Sequence, residues 1–153
     1  MGDQLRRAVF AGSWYPGTAA ACKAEIERFL AEAPPREPGI QNPVGGIVPH
    51  AGWVYSGAVA CEVVRALAAG PPPDVVAVFG AHLHASSPSV LMPTGFWETP
   101  FGPLPVAAEL AVELSARFPF RIETPARFAQ DNTIELQLPF IKYFFPKASL
   151  LAA

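Results

Sequence analysis

The hydrophobic positions of this chain change their period several times, and each change marks an element. Cys22, Ile26, Phe29 and Leu30 recur at i, i+4, i+7 and i+8, with Lys23, Glu25, Glu27 and Arg28 between them. That spacing predicts an amphipathic helix opened by Thr18 as N-cap and closed before Pro34, with one face laid over a sheet. Val44 to Val48 and Val75 to Phe79 are instead short continuous apolar runs, the form of strands buried on both faces of a parallel sheet. Between them, an Ala-, Val- and Leu-rich stretch predicts a helix from Ser56, as N-cap, through Ala69, stopped by Gly70 and Pro71-Pro72-Pro73. The three segments together predict a β-α-β unit with parallel strands.

Further along, Ser89 to Met92 predicts a short strand and Trp97 to Gly102 a turn. Ala107, Leu110, Ala111, Leu114 and Phe118 form the inner face of a helix over 106–118. The last helix starts near Asp131, where Asn132 and Glu135 have the spacing of a capping box. Ile134, Leu138, Ile141 and Phe145 make one stripe, and Leu136, Phe140, Tyr143 and Phe144 are apolar on other faces. A helix apolar most of the way round belongs inside a larger structure, which points to further chain or a second copy, and so to a homo-oligomer. Ala148 to Ala152 predicts a closing strand, and residues 7–17 an irregular segment packed across other elements. The expected fold is α/β: a largely parallel or mixed central sheet flanked by helices, within one domain over 1–153.

Composition sharpens this picture. Only 16% of the 153 residues are charged against 51% hydrophobic, where a charged share of roughly 25% is ordinary. Either the core is large for the length or a partner covers apolar surface. Net charge is −2, and no basic cluster exceeds Arg6-Arg7, so nucleic acid and acidic membranes are not the expected partners. No membrane-spanning run and no secretory h-region are present, and a soluble cytoplasmic protein is expected. Cys22 and Cys61 fall inside helical patterns with no zinc spacing, and are expected as reduced packing residues.

The chemistry concentrates after the two strand-like runs. His50 and His82 each follow one of them by a few residues, beyond the carboxyl ends of parallel strands, where open α/β sheets bind ligands. Neighbouring strands lie about 4.8 Å apart, close enough for both imidazoles to reach one metal ion. Two histidines are not a complete site; Glu98, Asp131 and Glu135 are the candidate third ligands, and His84 alternates with His82. Ser13 and Ser56 lie outside any GxSxG elbow, and neither GxGxxG nor GxxxxGK[ST] occurs. Trp14, Tyr15, Trp53 and Tyr55 fall on or beside the proposed loops, either as loop packing or as a wall for a substrate.

Several blocks carry a resemblance: Ala11-Gly12-Ser13-Trp14-Tyr15-Pro16, Pro49-His50-Ala51-Gly52-Trp53-Val54-Tyr55-Ser56-Gly57, Gly80-Ala81-His82, Trp97-Glu98-Thr99-Pro100-Phe101-Gly102 and Ile134-Glu135-Leu136-Gln137-Leu138-Pro139-Phe140. In this order they resemble the Memo family, whose bacterial and archaeal members are called AmmeMemoRadiSam system protein B. That family is similar in fold to the class III extradiol dioxygenases, with a pocket holding iron or copper through two histidines and a cysteine. The resemblance places His50 on the first histidine and His82 on the second, and the pocket around them is expected to be lined by Trp14, Tyr15, Trp53, Tyr55, His84, Asn132 and Glu135. It departs at Asp131-Asn132-Thr133-Ile134-Glu135, where the family motif EHS[IL]E carries histidine at the position of Asn132. The family's cysteine ligand lies in a carboxyl half that this chain lacks, and neither Cys22 nor Cys61 matches it. The expectation is therefore the amino-terminal half of a Memo-like fold. Its function would be iron- or copper-dependent oxidoreductase or dioxygenase-like chemistry. The alternative is a non-catalytic module binding a small molecule, a peptide or AmmeMemoRadiSam partner proteins.

Overall fold

In the computed structural model, which describes residues 4–33, 43–80, 82 and 86–153, the elements follow most of the apolar pattern. The N-terminal segment places β1 (Leu5–Arg6) parallel to β4 (Phe96–Trp97), and β4 pairs antiparallel with β5 (Leu104–Pro105). Helix α1 (Ala19–Glu32) begins where Thr18 predicts, the Thr18 hydroxyl accepting from the Ala21 N–H, and it buries Cys22, Ile26 and Phe29. Helix α2 (Trp53–Leu67) packs against it closely at Gly57, where an added Cβ would lie 2.7 Å from the Phe29 ring. Strand β2 (Val75–Val78) pairs parallel with the last strand, β7 (Ser149–Ala152), and β3 (Val90–Leu91) parallel with β6 (Arg121–Ile122). Helix α3 (Ala108–Arg117) and the short helices α4 (Asn132–Glu135) and α5 (Leu138–Phe144) complete the order. The result is the expected α/β mixture, with the sheet divided into small parallel and mixed ladders.

Four elements differ from the sequence pattern. Residues 43–50 form no strand, and Val44 and Ile47 are 103% and 94% exposed. An apolar run holds as a strand only when a neighbour takes its backbone groups and its side chains have a surface to pack on. Here β2 pairs with β7 instead, and Gly45-Gly46 adds backbone freedom to the run. Helix α2 starts at Trp53 with Gly52 as its N-cap, ahead of Ser56, whose hydroxyl donates to the Ala51 carbonyl. The early start follows from the buried Trp53 indole, which donates to the Leu136 carbonyl and stacks on Phe140 at 4.1 Å. Helix α3 meets the core chiefly through Ala111 and Leu114, while Leu110 and Phe118 stay exposed.

The last helix is two. Pro139 has no N–H to give the Glu135 carbonyl and disfavours helical geometry in the residue before it, so α4 ends and α5 begins around Leu136 and Gln137. Its N-cap is Asp131, not Asn132, with the carboxylate accepting from the Thr133 N–H. Glu135 does not close a capping box. It accepts from the Val9 N–H at 3.1 Å, the Phe10 N–H at 2.8 Å and the Tyr15 hydroxyl at 3.1 Å, and so holds the N-terminal segment. As the pattern requires, every residue from 134 to 141 is buried.

Burial pushes the Glu135 carboxyl above its ordinary range, against the pull of its three donors and of Arg6. The folded protein therefore holds this proton more tightly than the unfolded chain. Its contribution to stability is full at acid pH, falls as pH rises through the folded value, and is flat above it. Glu135→Ala orphans the three donors and is expected to lower the unfolding free energy by roughly 3 kcal/mol, measured in urea. The stability difference between wild type and Glu135→Gln should shrink as pH is raised from acid toward neutral. A difference independent of pH would show that the carboxyl titrates alike in both states.

Both cysteines are free and fully buried, and burial pushes the Cys22 thiol up to about 12 and the Cys61 thiol up to about 11. The thiolate is the reactive form. Neither thiol should react with a disulfide reagent at pH 8 until the protein is unfolded, as followed by absorbance; rapid labelling of the native protein would contradict this burial.

Candidate functional site

The two loop histidines come together although only one of them follows a strand. His50 lies on the segment leading into α2, and His82 lies just beyond β2. Their ring centroids are 4.8 Å apart with the planes 66° to one another. They share an open cleft of about 420 Å³ lined by Trp14, His50, Ala51, Gly52, Tyr55, His82 and Asn132. Trp14 is fixed in the wall because its carbonyl accepts the first N–H of α2, from Trp53, at 2.8 Å, and its ring meets Phe10 edge-on. Trp14 is 43% exposed and Tyr55 85% exposed, so the cleft has aromatic faces open to solvent.

A third segment holds both loops. The Asn132 Nδ2 donates to the His50 carbonyl at 2.8 Å, and the Gln137 Nε2 donates to the neighbouring Pro49 carbonyl at 3.0 Å. The Asp131 Oδ2 accepts from the His82 backbone N–H at 3.1 Å while its Oδ1 caps α4. Burial alone would push the Asp131 carboxyl up, but hydrogen bonds from the Thr133 hydroxyl and from the backbone N–H groups of His82 and Thr133 outweigh it and hold the carboxyl below its usual value. Gly80 lets the β2 end approach: an added Cβ there would lie 2.5 Å from the Thr133 Oγ1.

The other residues singled out by sequence stand elsewhere. Tyr15, Trp53 and Glu135 are buried and do not line the cleft; the Tyr15 and Trp53 rings pack against each other with centroids 5.7 Å apart, and Glu135 holds the N-terminal segment. Glu98 pairs with Arg7 and accepts from the Ala8 N–H. His84 lies outside the described residues. His82 also borders a second cavity of about 520 Å³, whose walls include Phe79, Met92, Trp97, Phe120 and Asp131. Among the described residues no group of three or more His, Cys, Asp or Glu side chains is disposed to hold a metal, so Asp131, Glu98 and Glu135 do not join the pair. The pair itself satisfies a simple geometric test. With a metal–nitrogen distance of about 2.0–2.1 Å, an ion sits roughly 3 Å from each ring centre, so two rings sharing it have centres within about 6 Å.

Sequence reasoning missed Gln137, and it read Asp131 only as a candidate ligand. Both act on backbone atoms far away in sequence, and no spacing rule signals such bonds. It also missed Arg6, which is buried in an ion pair with Glu123 at 2.8 Å and lies over the Trp97 ring at 3.8 Å and the Phe128 ring at 4.2 Å. In the chain it stands beside Arg7, which stays at the surface with Glu98, and nothing local tells the two apart.

Among the described residues no helix is long and apolar enough to cross a membrane. Comparison with known proteins matches residues 6–152 to the family described as Memo-like protein. Relatives named MEMO1 family protein include one from Thermotoga neapolitana, 36% identical over 159 aligned positions that take in 96% of this chain and 56% of the relative. One from Metallosphaera sedula is 38% identical over 157, with 95% and 55% covered, and one from Pyrobaculum arsenaticum is 32% identical over 150, with 93% and 53% covered. The chain thus spans about half the length of these relatives. With a match running from β1 through β7 and the paired-histidine cleft inside it, the chain belongs to the Memo-like protein family.

Proposed function

We propose that this chain carries the histidine half of a Memo-like metal pocket, in which His50 and His82 bind one iron or copper ion. The observation behind this reading is the ring pair, 4.8 Å between centroids and opening on a shared cleft. Neutral imidazole suits both metals. When bound, the metal would supply Lewis-acid or redox chemistry. The protein's own residues would do the rest: Trp14 and Tyr55 offer aromatic faces to a small molecule or peptide, and Asn132 and Asp131 fix the loops. Oxidoreductase or dioxygenase-like activity is the enzymatic form of this proposal.

A second reading, a non-catalytic binding module serving other proteins of the AmmeMemoRadiSam system, is favoured by the donor set. Among the described residues the cleft offers two imidazoles with an amide beside them and no third His, Cys, Asp or Glu ligand.

Titration of metal-free protein with Cu(II), and anaerobically with Fe(II), separates the two. Wild type is expected to take up one ion per chain. His50→Ala and His82→Ala should each weaken uptake by more than the roughly 10–100-fold that loss of an outer-shell partner costs, and the double variant should abolish it. Elemental analysis of protein purified without chelator or affinity tag gives an independent reading. No binding above background in wild type would sink the metal proposal and leave the binding module.

A further inference from the structure

We propose that Asp131 and Asn132 are positioning residues that set the spacing of the histidine pair, so that the geometry of the site is dictated by a segment carrying neither histidine. This rests on reading the pair as the functional centre, but the spacing is measurable without metal.

The two histidine loops have no hydrogen bond to each other among the described residues; each is instead tied to the same short stretch. The chemistry of the ties is complementary. The His82 loop offers a backbone N–H, and Asp131, ionised and therefore an acceptor only, takes it. The His50 loop offers a carbonyl, and Asn132, whose amide nitrogen can donate, meets it. Adjacent residues of opposite hydrogen-bonding sense thus grip opposite backbone groups of the two loops. Gln137 repeats the donor role one residue earlier, at Pro49. The footing is rigid, because Ile134 to Ile141 are buried and the Leu136 carbonyl is held by the Trp53 indole. Gly80 shows the His82 side pressed onto this footing, with no room for a Cβ against Thr133. An amide at position 132 therefore has a use that does not require it to be a metal ligand.

The test compares metal-free wild type with Asn132→Ala and with Asp131→Ala, using protein labelled at histidine. The nuclear Overhauser effect between the His50 and His82 rings reports their spacing. Asn132→Leu, which keeps the side-chain bulk without a donor, serves if Asn132→Ala fails to fold. Thr18→Ala, which removes only the α1 cap, serves as the control for reduced stability. The expected result is a ring-to-ring Overhauser effect in wild type and in Thr18→Ala that disappears in the Asn132 and Asp131 variants, with Cu(II) affinity falling about 10–100-fold. An effect that persists in the folded Asn132 and Asp131 variants overturns the proposal, and if copper binding fails all the same, Asn132 acts as a ligand. Absence of the effect in wild type also overturns it. If the effect disappears in the variants while wild type never binds metal, the positioning role stands and the metal reading falls.

Discussion

Burying residues 134–141 as a continuous block favours arrangements in which its polar groups find partners inside the protein, because an unpaired buried group costs more than a hydrogen bond gains, and among its side-chain atoms the Gln137 Oε1 is left without one. The partners it finds are the rest of the structure. Glu135 takes two backbone N–H groups and a hydroxyl from the N-terminal segment, the Leu136 carbonyl takes the Trp53 indole of α2, and the Gln137 amide takes the Pro49 carbonyl. Two stretches of chain distant in sequence, the N-terminal segment and the run from Pro49 into α2, are located by three consecutive residues. Apolar packing supplies the driving force, with Trp53 stacked on Phe140 and Phe29 beside both, but it is non-directional. The polar bonds select one arrangement of the loops from among those the packing allows.

The low share of charged residues has its counterpart on the surface. Val75 and Phe79 lie on one side of the β2 run with 37% and 77% of their surface exposed, while Val76 and Val78 pack into the core. Parallel strands are ordinarily covered on both faces, and here one face of β2 is open. Val44, Ile47, Val54 and Val59 are exposed as well. The apolar composition therefore reflects exposed apolar surface in addition to the core.

How much of this was legible in the sequence depended on the kind of signal. Periodicity located α1 through Cys22, Ile26 and Phe29, and the apolar runs located β2 and β7, because burial of a repeating face leaves a repeating mark. It failed at 44–48, where Val and Ile resemble a strand but pairing depends on a neighbour that local pattern does not reveal. It also placed the start of α2 at a plausible cap, Ser56, when the first turn was decided by a tertiary anchor, the Trp53 indole. Pro139 was visible in the chain, yet the apolar stripe on either side of it read as one helix.

The candidate site was legible as residues and not as geometry. His50 and His82 can be picked out by type and by the loops they occupy, and a β-α-β unit with neighbouring strands would bring them together. They are together in the structure, but residues 43–50 form no strand, so adjacent parallel strands are not what unites them. The loops converge because side chains at 131, 132 and 137 bind their backbones, at separations of 49, 82 and 88 residues. Bonds of this kind leave no period behind, since they need one carboxylate or amide at one place and impose nothing on its neighbours. In the sequence, Asn132 is conspicuous for standing where the resembling motif carries histidine. In the structure, its amide donates to the carbonyl of His50, whose ring stands beside that of His82 in the cleft.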